Sequence, residues 1–368
     1  SETVCTLWYH DHSMDHTAAN VYKGLVGFHL FFDEFDSGNE NDTNPGALRL
    51  PSGEFDIPLL FQDKRFDANG QLVLRSASEV NESGFPNTFG VLGDRFTVNG
   101  QIQPKLKVSR RKYRFRLLNA GPSRFYQFHL TKGGKDQSLV QIANDESLLE
   151  HPYEVPLHQG VLLSVAERAD VIIDFSQFDT GDKLFLVNRL KMEHNGFGPK
   201  HVLAADGKFV RYESLPEGEG DLILCFEVGG DAVDPSKVPA DLRKNPDLPS
   251  EVKNKTAAQL KALPNHREFK FGFDEATGEA WAIDGRPFDP SPAGASAVGL
   301  TPLRVRGLVT PRGRLPGEVP DGEVWTIKNE GEWSHPVHIH IEEFRILLRN
   351  GTPPVSYTHL TLPTNREV

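Results

Sequence analysis

This chain of 368 residues has two cysteines, two methionines and four tryptophans. Two cysteines cannot build a disulfide framework. One bridge between Cys5 and Cys225 stays open, but Cys225 sits in the apolar run "DLILCFEV", which reads as a strand holding a buried, inert thiol. Basic charge is in deficit, 40 Lys and Arg against 51 Asp and Glu, for a net charge of −11. That balance argues against the electropositive face needed to displace counterions from nucleic-acid phosphates. No apolar run approaches the roughly 18 to 20 residues of a membrane-spanning helix. Sustained helical periodicity is scarce, with "MDHTAANVYKGL", ending near Gly24, as its best case. A composition of 38% hydrophobic and 25% charged residues fits an ordinary folded chain of two or three domains.

What is abundant is short, alternating or β-branched runs. They include "FDIPLLFQD", "RFTVNG", "KLKVSRRKYRFRLLNAG", "FYQFHL", "GVLLSVAERADVIIDF", "KLFLVNRL", "REFKFGFD", "EVWTIKNEG" and "HPVHIHIEEFRILLRNG". Gly, Pro, Asn and Asp turn clusters separate them, as in sandwiches and barrels, so the fold class is all-β. Two polar breaks mark boundaries. "DSGNENDTNPGALRLPSG" reads as a connection. The Pro- and charge-rich stretch from "VGGDAVDPSK" to "KALPNH" reads as an interdomain segment, with a short helix in "NKTAAQLKAL". The expected organisation is residues 1–36 as the end of a first β domain, 37–53 as a linker, 54–205 as a complete second domain, 206–265 as a connection and 266–354 as the front of a third. The chain opens without Met, directly in "SETVCTLWYHDH", so a leading portion is expected to precede Ser1. From Val355 the pattern breaks into "VSYTHLTLPTNREV", which resembles translated sequencing adaptor; 355–368 is expected to be a non-native tail, and His359 is set aside as a ligand.

Of 14 histidines, five fall into two tight clusters, "HDH" near the start and "HPVHIH" near the end. An isolated H-x-H arises by chance in roughly one chain of this size in two, whereas H-x-x-H-x-H does so in only a few per cent. Residues two apart on a strand share a face at roughly 6 to 7 Å. His10 and His12 are therefore expected to project together, as are His338 and His340, while His335, an odd number of residues away behind Pro336, serves a different site. Imidazole suits Cu, Zn, Fe and Ni, and the only carboxylate inside a cluster, Asp11, should point off the metal face. The single histidines, His16, His29, His129, His151, His158, His194, His201 and His266, read as ordinary packed or solvated residues.

These motifs, with "TLWYHDHSMDHTAANVYKGLVGFHLFFDE", "LPSGEFDIPLLFQDKRFDANGQL", "RFTVNGQIQPKLKVSRRKYRFRLLNAGPSRFYQFHL" and "AERADVIIDFSQF", resemble the three-domain multicopper oxidases from about Thr6 to Pro354. The nearest group is that of bacterial spore-coat laccase, bilirubin oxidase and phenoxazinone synthase. The resemblance implies tandem cupredoxin-like Greek-key β-barrels, the first and third incomplete here. It also implies copper in type 1, type 2 and binuclear type 3 sites, with dioxygen reduced to water by electrons from a small aromatic or metal-ion substrate. Carried over motif by motif, His10 and His12 resemble type 3 ligands, His335 the type 1 ligand, His338 the type 2 ligand and His340 a type 3 ligand.

Two family motifs have no counterpart here, the first H-W-H-G and the last H-C-H-x-x-x-H with its axial Met. A blue-copper site needs two His and a Cys, and neither Cys5 nor Cys225 is flanked by histidine. Met14 and Met192 lack the axial context. The chain as written is therefore expected to show no intense thiolate-to-copper absorption, no laccase-type turnover, and aggregation through uncovered sheet edges. Trp333 and Glu332 are candidate walls of a donor entrance. A non-catalytic copper-binding cupredoxin module is the alternative; a zinc hydrolase is disfavoured by the absence of an H-E-x-x-H helix motif. The family's habit implies a periplasmic or secreted setting, with neither nucleic acid nor membrane as partner.

Overall fold

A computed structural model describes residues 6–13, 16–74, 90–145, 147–193, 198–205, 209–243, 252–273, 281–287, 324–330, 334, 336–337 and 346–348. The chain divides into two compact units at the Asn245–Pro246 junction.

The first unit opens with β1 (Thr6–His10), α1 (Thr17–Lys23) and β2 (Val26–Leu30), the two strands pairing antiparallel. Then come β3 (Asp56–Lys64), β4 (Arg95–Val98), β5 (Gln101–Ile102), β6 (Lys105–Arg110), β7 (Lys112–Asn119), β8 (Tyr126–Lys132) and β9 (Lys135–Gln137). β10 (Val140–Asn144), β11 (Ser147–Glu154), β12 (Val161–Leu163), β13 (Arg168–Asp174) and β14 (Lys183–Asn188) follow. An outlying hairpin of β15 (His201–Leu203) and β16 (Phe209–Tyr212) precedes β17 (Asp221–Asp231).

One sheet runs β11-β10-β13-β7-β3-β4-β5, and a second runs β12-β8-β14-β17-β6 with β9 beside β8. β3 lies parallel to β7 and β17 parallel to β6. Sequence neighbours thus pass from one sheet to the other, the crossing habit of Greek-key folds. The run "KLKVSRRKYRFRLLNAG" shows it best, because Arg111 alone separates β6 of one sheet from β7 of the other. The barrel core follows from period-2 alternation: Phe115 and Leu117 of β7, Phe128 and Leu130 of β8, Val171 and Ile173 of β13, and Phe226 and Val228 of β17 point into one buried cluster. Phe128 packs at its heart, 4.5 Å from the Phe61 ring and 5.1 Å from that of Tyr126.

Alternation also drives Arg114, Arg116 and Asp170 to the outer face of the first sheet, where they are nonetheless buried. Asp170 accepts from Arg114 Nη2 at 2.6 Å and Thr6 Oγ1 at 2.8 Å, while Asp36 takes Arg114 Nη1 at 2.7 Å. Asp56 pairs with Arg116 at 2.7 Å. Buried charge is tolerated only when matched in this way. The N-terminal segment meets these residues through Thr6, Phe32 and Asp36. Residues 37–53, read as a linker, have no strand, but Glu40, Ala47, Leu48, Leu50 and Ser52 are buried. Glu40 holds Arg111 at 2.6 Å, and the Arg111 guanidinium lies 3.4 Å from the centre of the Phe55 ring.

A second difference concerns 206–265. The connection read there contributes β17, an interior strand of the second sheet, and its signal was the run "DLILCFEV". Cys225 on that strand is a free thiol and part-buried rather than fully buried. Burial raises its pKa, in keeping with an unreactive thiol.

The second unit contains α2 (Ala257–Lys261), β18 (His266–Phe273), β19 (Trp281–Ile283), β20 (Arg286–Pro287) and β21 (Val324–Asn329). The helix expected in "NKTAAQLKAL" starts at a capping box of Thr256 with Gln259. β18 pairs parallel with β21 and antiparallel with β19. The expected strand "HPVHIHIEEFRILLRNG" lies largely outside the described residues.

Candidate metal centre

β1 places the first histidine by strand parity. Thr6, wholly buried, is fixed to Asp170, and Trp8 packs with Val26 and Phe28 on Leu60, Leu118 and Ala120 of the barrel. His10 comes next in that row, its ring 4.6 Å from the Trp8 ring. Tyr9 points the other way, 62% exposed, over its cross-strand partner Gly27. A Cβ on residue 27 would sit 2.5 Å from the tyrosine hydroxyl, so a larger residue there would displace the exposed Tyr9 ring.

His12 lies beyond the strand end, yet its ring stacks on that of His10 with centroids 5.4 Å apart and planes 28° apart. The expected pairing of His10 and His12 is therefore present. His10 Nδ1 is 2.7 Å from the Asp11 backbone carbonyl. A carbonyl only accepts, so neutral His10 carries its proton on Nδ1 and presents Nε2 as the lone-pair nitrogen, the usual arrangement of a metal-binding imidazole.

The Asp11 carboxylate, expected to point off the metal face, is engaged by Ser13 and Asn20. It accepts from Ser13 N at 3.3 Å, Ser13 Oγ at 3.0 Å and Asn20 Nδ2 at 3.1 Å. The Asn20 bond leads in holding the Asp11 carboxyl below its ordinary pKa. Asn20 belongs to α1, which ends at Gly24 in a left-handed turn at φ 104°. The far end of α1 is seated on the barrel by β3: Gln62 Nε2 donates to Val21 O at 2.9 Å, and Lys64 Nζ donates to Tyr22 O. The Tyr22 hydroxyl accepts from Arg65 N at 2.6 Å. Burial lowers the Lys64 pKa. Sequence reasoning missed Lys64, because "LLFQDK" reads as an apolar strand ending in a solvated lysine.

His335, His338 and His340, like Glu332, Trp333, Cys5, Met14 and His194, lie outside the described residues. Among the described residues no three His, Cys, Asp or Glu side chains are grouped to hold a metal. Several single histidines have ordinary roles. His266 Nε2 bonds Thr326 Oγ1 at 2.8 Å, and His151 Nδ1 lies 3.0 Å from Asp241 at the surface. His129 is buried in the barrel, its Nδ1 donating to Leu157 O at 3.0 Å beside the Arg189–Asp136 pair. Burial first, then the Arg189 charge, lowers its pKa to about 4.

No family model matches the chain. Individual proteins do. The bilirubin oxidase of Albifimbria verrucaria is 33% identical over 360 residues, covering 95% of this chain and 50% of that protein. The laccase of Bacillus subtilis (strain 168) is 31% identical over 348 residues, covering 93% and 55% respectively. The chain thus spans about half the length of the curated relatives it matches. In fold it is similar to the McoA multicopper oxidase of the hyperthermophile Aquifex aeolicus, with a TM-score of 0.67 at 24% identity over 98% of this chain and 66% of that one. In sequence and in its cupredoxin-like fold, this chain's relatives are the multicopper oxidases.

Proposed function

We propose that the parent protein of this chain is a copper-dependent oxidase. It couples one-electron oxidation of a phenol, aromatic amine or metal ion to four-electron reduction of dioxygen to water. The observation that carries this reading is the stacked His10–His12 pair with Nε2 of His10 set as a lone-pair nitrogen. Two imidazoles side by side, with the neighbouring carboxylate engaged by Ser13 and Asn20, are a donor set that suits copper. The residues assigned to copper are His10, His12, His335, His338 and His340, with the roles the family resemblance gave them. The chemistry copper supplies when bound is a one-electron couple able to pass electrons from the donor to dioxygen. What the chain's own residues do is hold the imidazoles: Thr6 and Trp8 fix the strand, and the Asp11 carbonyl fixes the His10 tautomer. The relatives named laccase and bilirubin oxidase support a small aromatic donor. A periplasmic or secreted setting goes with this reading; no helix among the described residues is long and apolar enough to cross a membrane.

The test is copper uptake by the purified chain and by a His10→Gln/His12→Gln variant, read by metal analysis and electron paramagnetic resonance. The variant should lose bound copper and the nitrogen hyperfine pattern. Equal uptake by both proteins would refute the assignment. Copper held by the histidines without dioxygen consumption would favour a copper-binding module instead.

A further inference from the structure

The β ladder orients His10 but not His12, which lies past the last residue of β1 and is exposed. The two rings nevertheless stack at 5.4 Å, so something other than strand pairing sets the second one. The residue between them has the bonds to do so. Both oxygens of Asp11 are used: Oδ1 takes the Ser13 hydroxyl, and Oδ2 takes Ser13 N and Asn20 Nδ2. The backbone turn that carries His12 is thus closed from both sides, by Asp11 before it and Ser13 after it.

Asn20 ties this turn to α1, and α1 does not stand alone. Seven residues make a marginal helix by themselves. It is held at its C-terminal end by the buried Lys64 side chain and by Gln62, both from barrel strand β3, with Lys64 donating to Tyr22 O and Gln62 to Val21 O, which also accepts the Gly24 N–H at the helix cap. The Tyr22 ring is buried in the same seat, and its hydroxyl takes Arg65 N. Ser13 O closes the other end, accepting His16 N and Thr17 N, each at 3.0 Å. The path runs unbroken from the barrel through α1 and Asn20 to the Asp11 carboxylate and the His12 turn.

We propose that Asp11 is a positioning residue. Through Ser13 and Asn20 it holds His12 against His10, and α1, seated on Gln62 and Lys64, fixes the pair to the barrel. The copper part of this inference rests on the function proposed above; the ring geometry does not. Outer partners that orient metal-binding imidazoles typically change metal affinity by roughly 10- to 100-fold when altered. Asp11 qualifies without touching the metal.

The experiment uses the full chain and three proteins: wild type, Asp11→Asn, and Asp11→Asn with Asn20→Asp. In the single variant two amides face each other and Oδ2 is lost as an acceptor; the double variant restores a carboxylate–amide contact with its polarity reversed. Ring-to-ring nuclear Overhauser effects between His10 and His12 are recorded on the metal-free, histidine-labelled proteins. Cu(II) affinity is then measured by chelator competition, beside the melting temperature. The expected result is loss of the ring-to-ring effect and roughly tenfold weaker copper binding in Asp11→Asn, with both recovered in the double variant. If the single variant keeps the ring-to-ring effect, the proposal is overturned whether or not copper binds. If its losses persist in the double variant while the melting temperature recovers, the Asp11–Asn20 contact is not the cause, and the proposal again fails. If the ring effect follows the expected pattern but wild type takes up no copper, Asp11 positions the pair and it is the copper reading that falls.

Discussion

Replacing Asp170 by alanine tests whether the N-terminal segment is locked to the barrel by buried charge. Asp170 receives Thr6 Oγ1 at 2.8 Å, Arg114 Nε at 2.9 Å, Arg114 Nη2 at 2.6 Å and Arg116 Nη1 at 3.4 Å. Its side chain is only 1% exposed, as is that of Arg114. Removing one partner of a buried ion pair costs about 3–5 kcal/mol when the other is left unpaired. Here each guanidinium keeps a second carboxylate, Arg114 that of Asp36 and Arg116 that of Asp56. The expected loss therefore falls at the lower end, about 3 kcal/mol. Asp170→Asn, which keeps the volume, separates the charge contribution from the cavity.

Trp8 sits where β1 docks, so its share of the tryptophan emission during urea unfolding, isolated by difference from a Trp8→Phe background, reports the release of that strand. The pH dependence has a definite sign. Burial acts to raise the Asp170 pKa, but Arg114, Arg116 and the bonds from Thr6 and Arg114 more than offset it, leaving the carboxyl below its ordinary value. A carboxylate depressed in the folded state contributes stability above its unfolded pKa of about 3.9 and loses it as the pH falls through the folded value. The gap between wild type and variant should be full at neutral pH and close in strong acid. A variant within about 1 kcal/mol of wild type at pH 7 would refute the reasoning.

Two further perturbations address the barrel around His129. With a folded pKa of about 4 against an ordinary 6.5, this residue binds fewer protons than the unfolded chain between those values, so stability should fall as pH drops from 6.5 toward 4. His129→Gln should remove up to about 3 kcal/mol of that pH dependence, read from urea midpoints; an unchanged slope would mean that His129 is not the group responsible. Gly160 has φ +62°, and a Cβ there would lie 2.6 Å from His129 Nε2 and 2.7 Å from Phe128 O. Gly160→Ala should therefore destabilise by at least about 2 kcal/mol, and a neutral result in the same assay would contradict the tight seat of His129.

The sequence by itself determined what depends on local periodicity. The short apolar runs in "FDIPLLFQD" and "RFTVNG" specified β3 and β4, and the strand read in "TLWYH" formed as β1, whose parity orients His10 but ends before His12. Gly24 ended α1 for the same kind of reason, a left-handed turn that glycine adopts without strain. Only the tertiary structure decided what depends on partners far away in the chain. Thr6 and Asp170 are 164 positions apart, and nothing near either one in sequence announces their bond. Arg114 and Arg116 alternate with the core residues Phe115 and Leu117, yet they too are buried, because Asp36 and Asp56 supply carboxylates to them. The same distance hid Lys64, whose role arises only when α1 brings its terminal carbonyls to β3. Side-chain period tells which face a residue occupies; what covers that face is set by the rest of the fold.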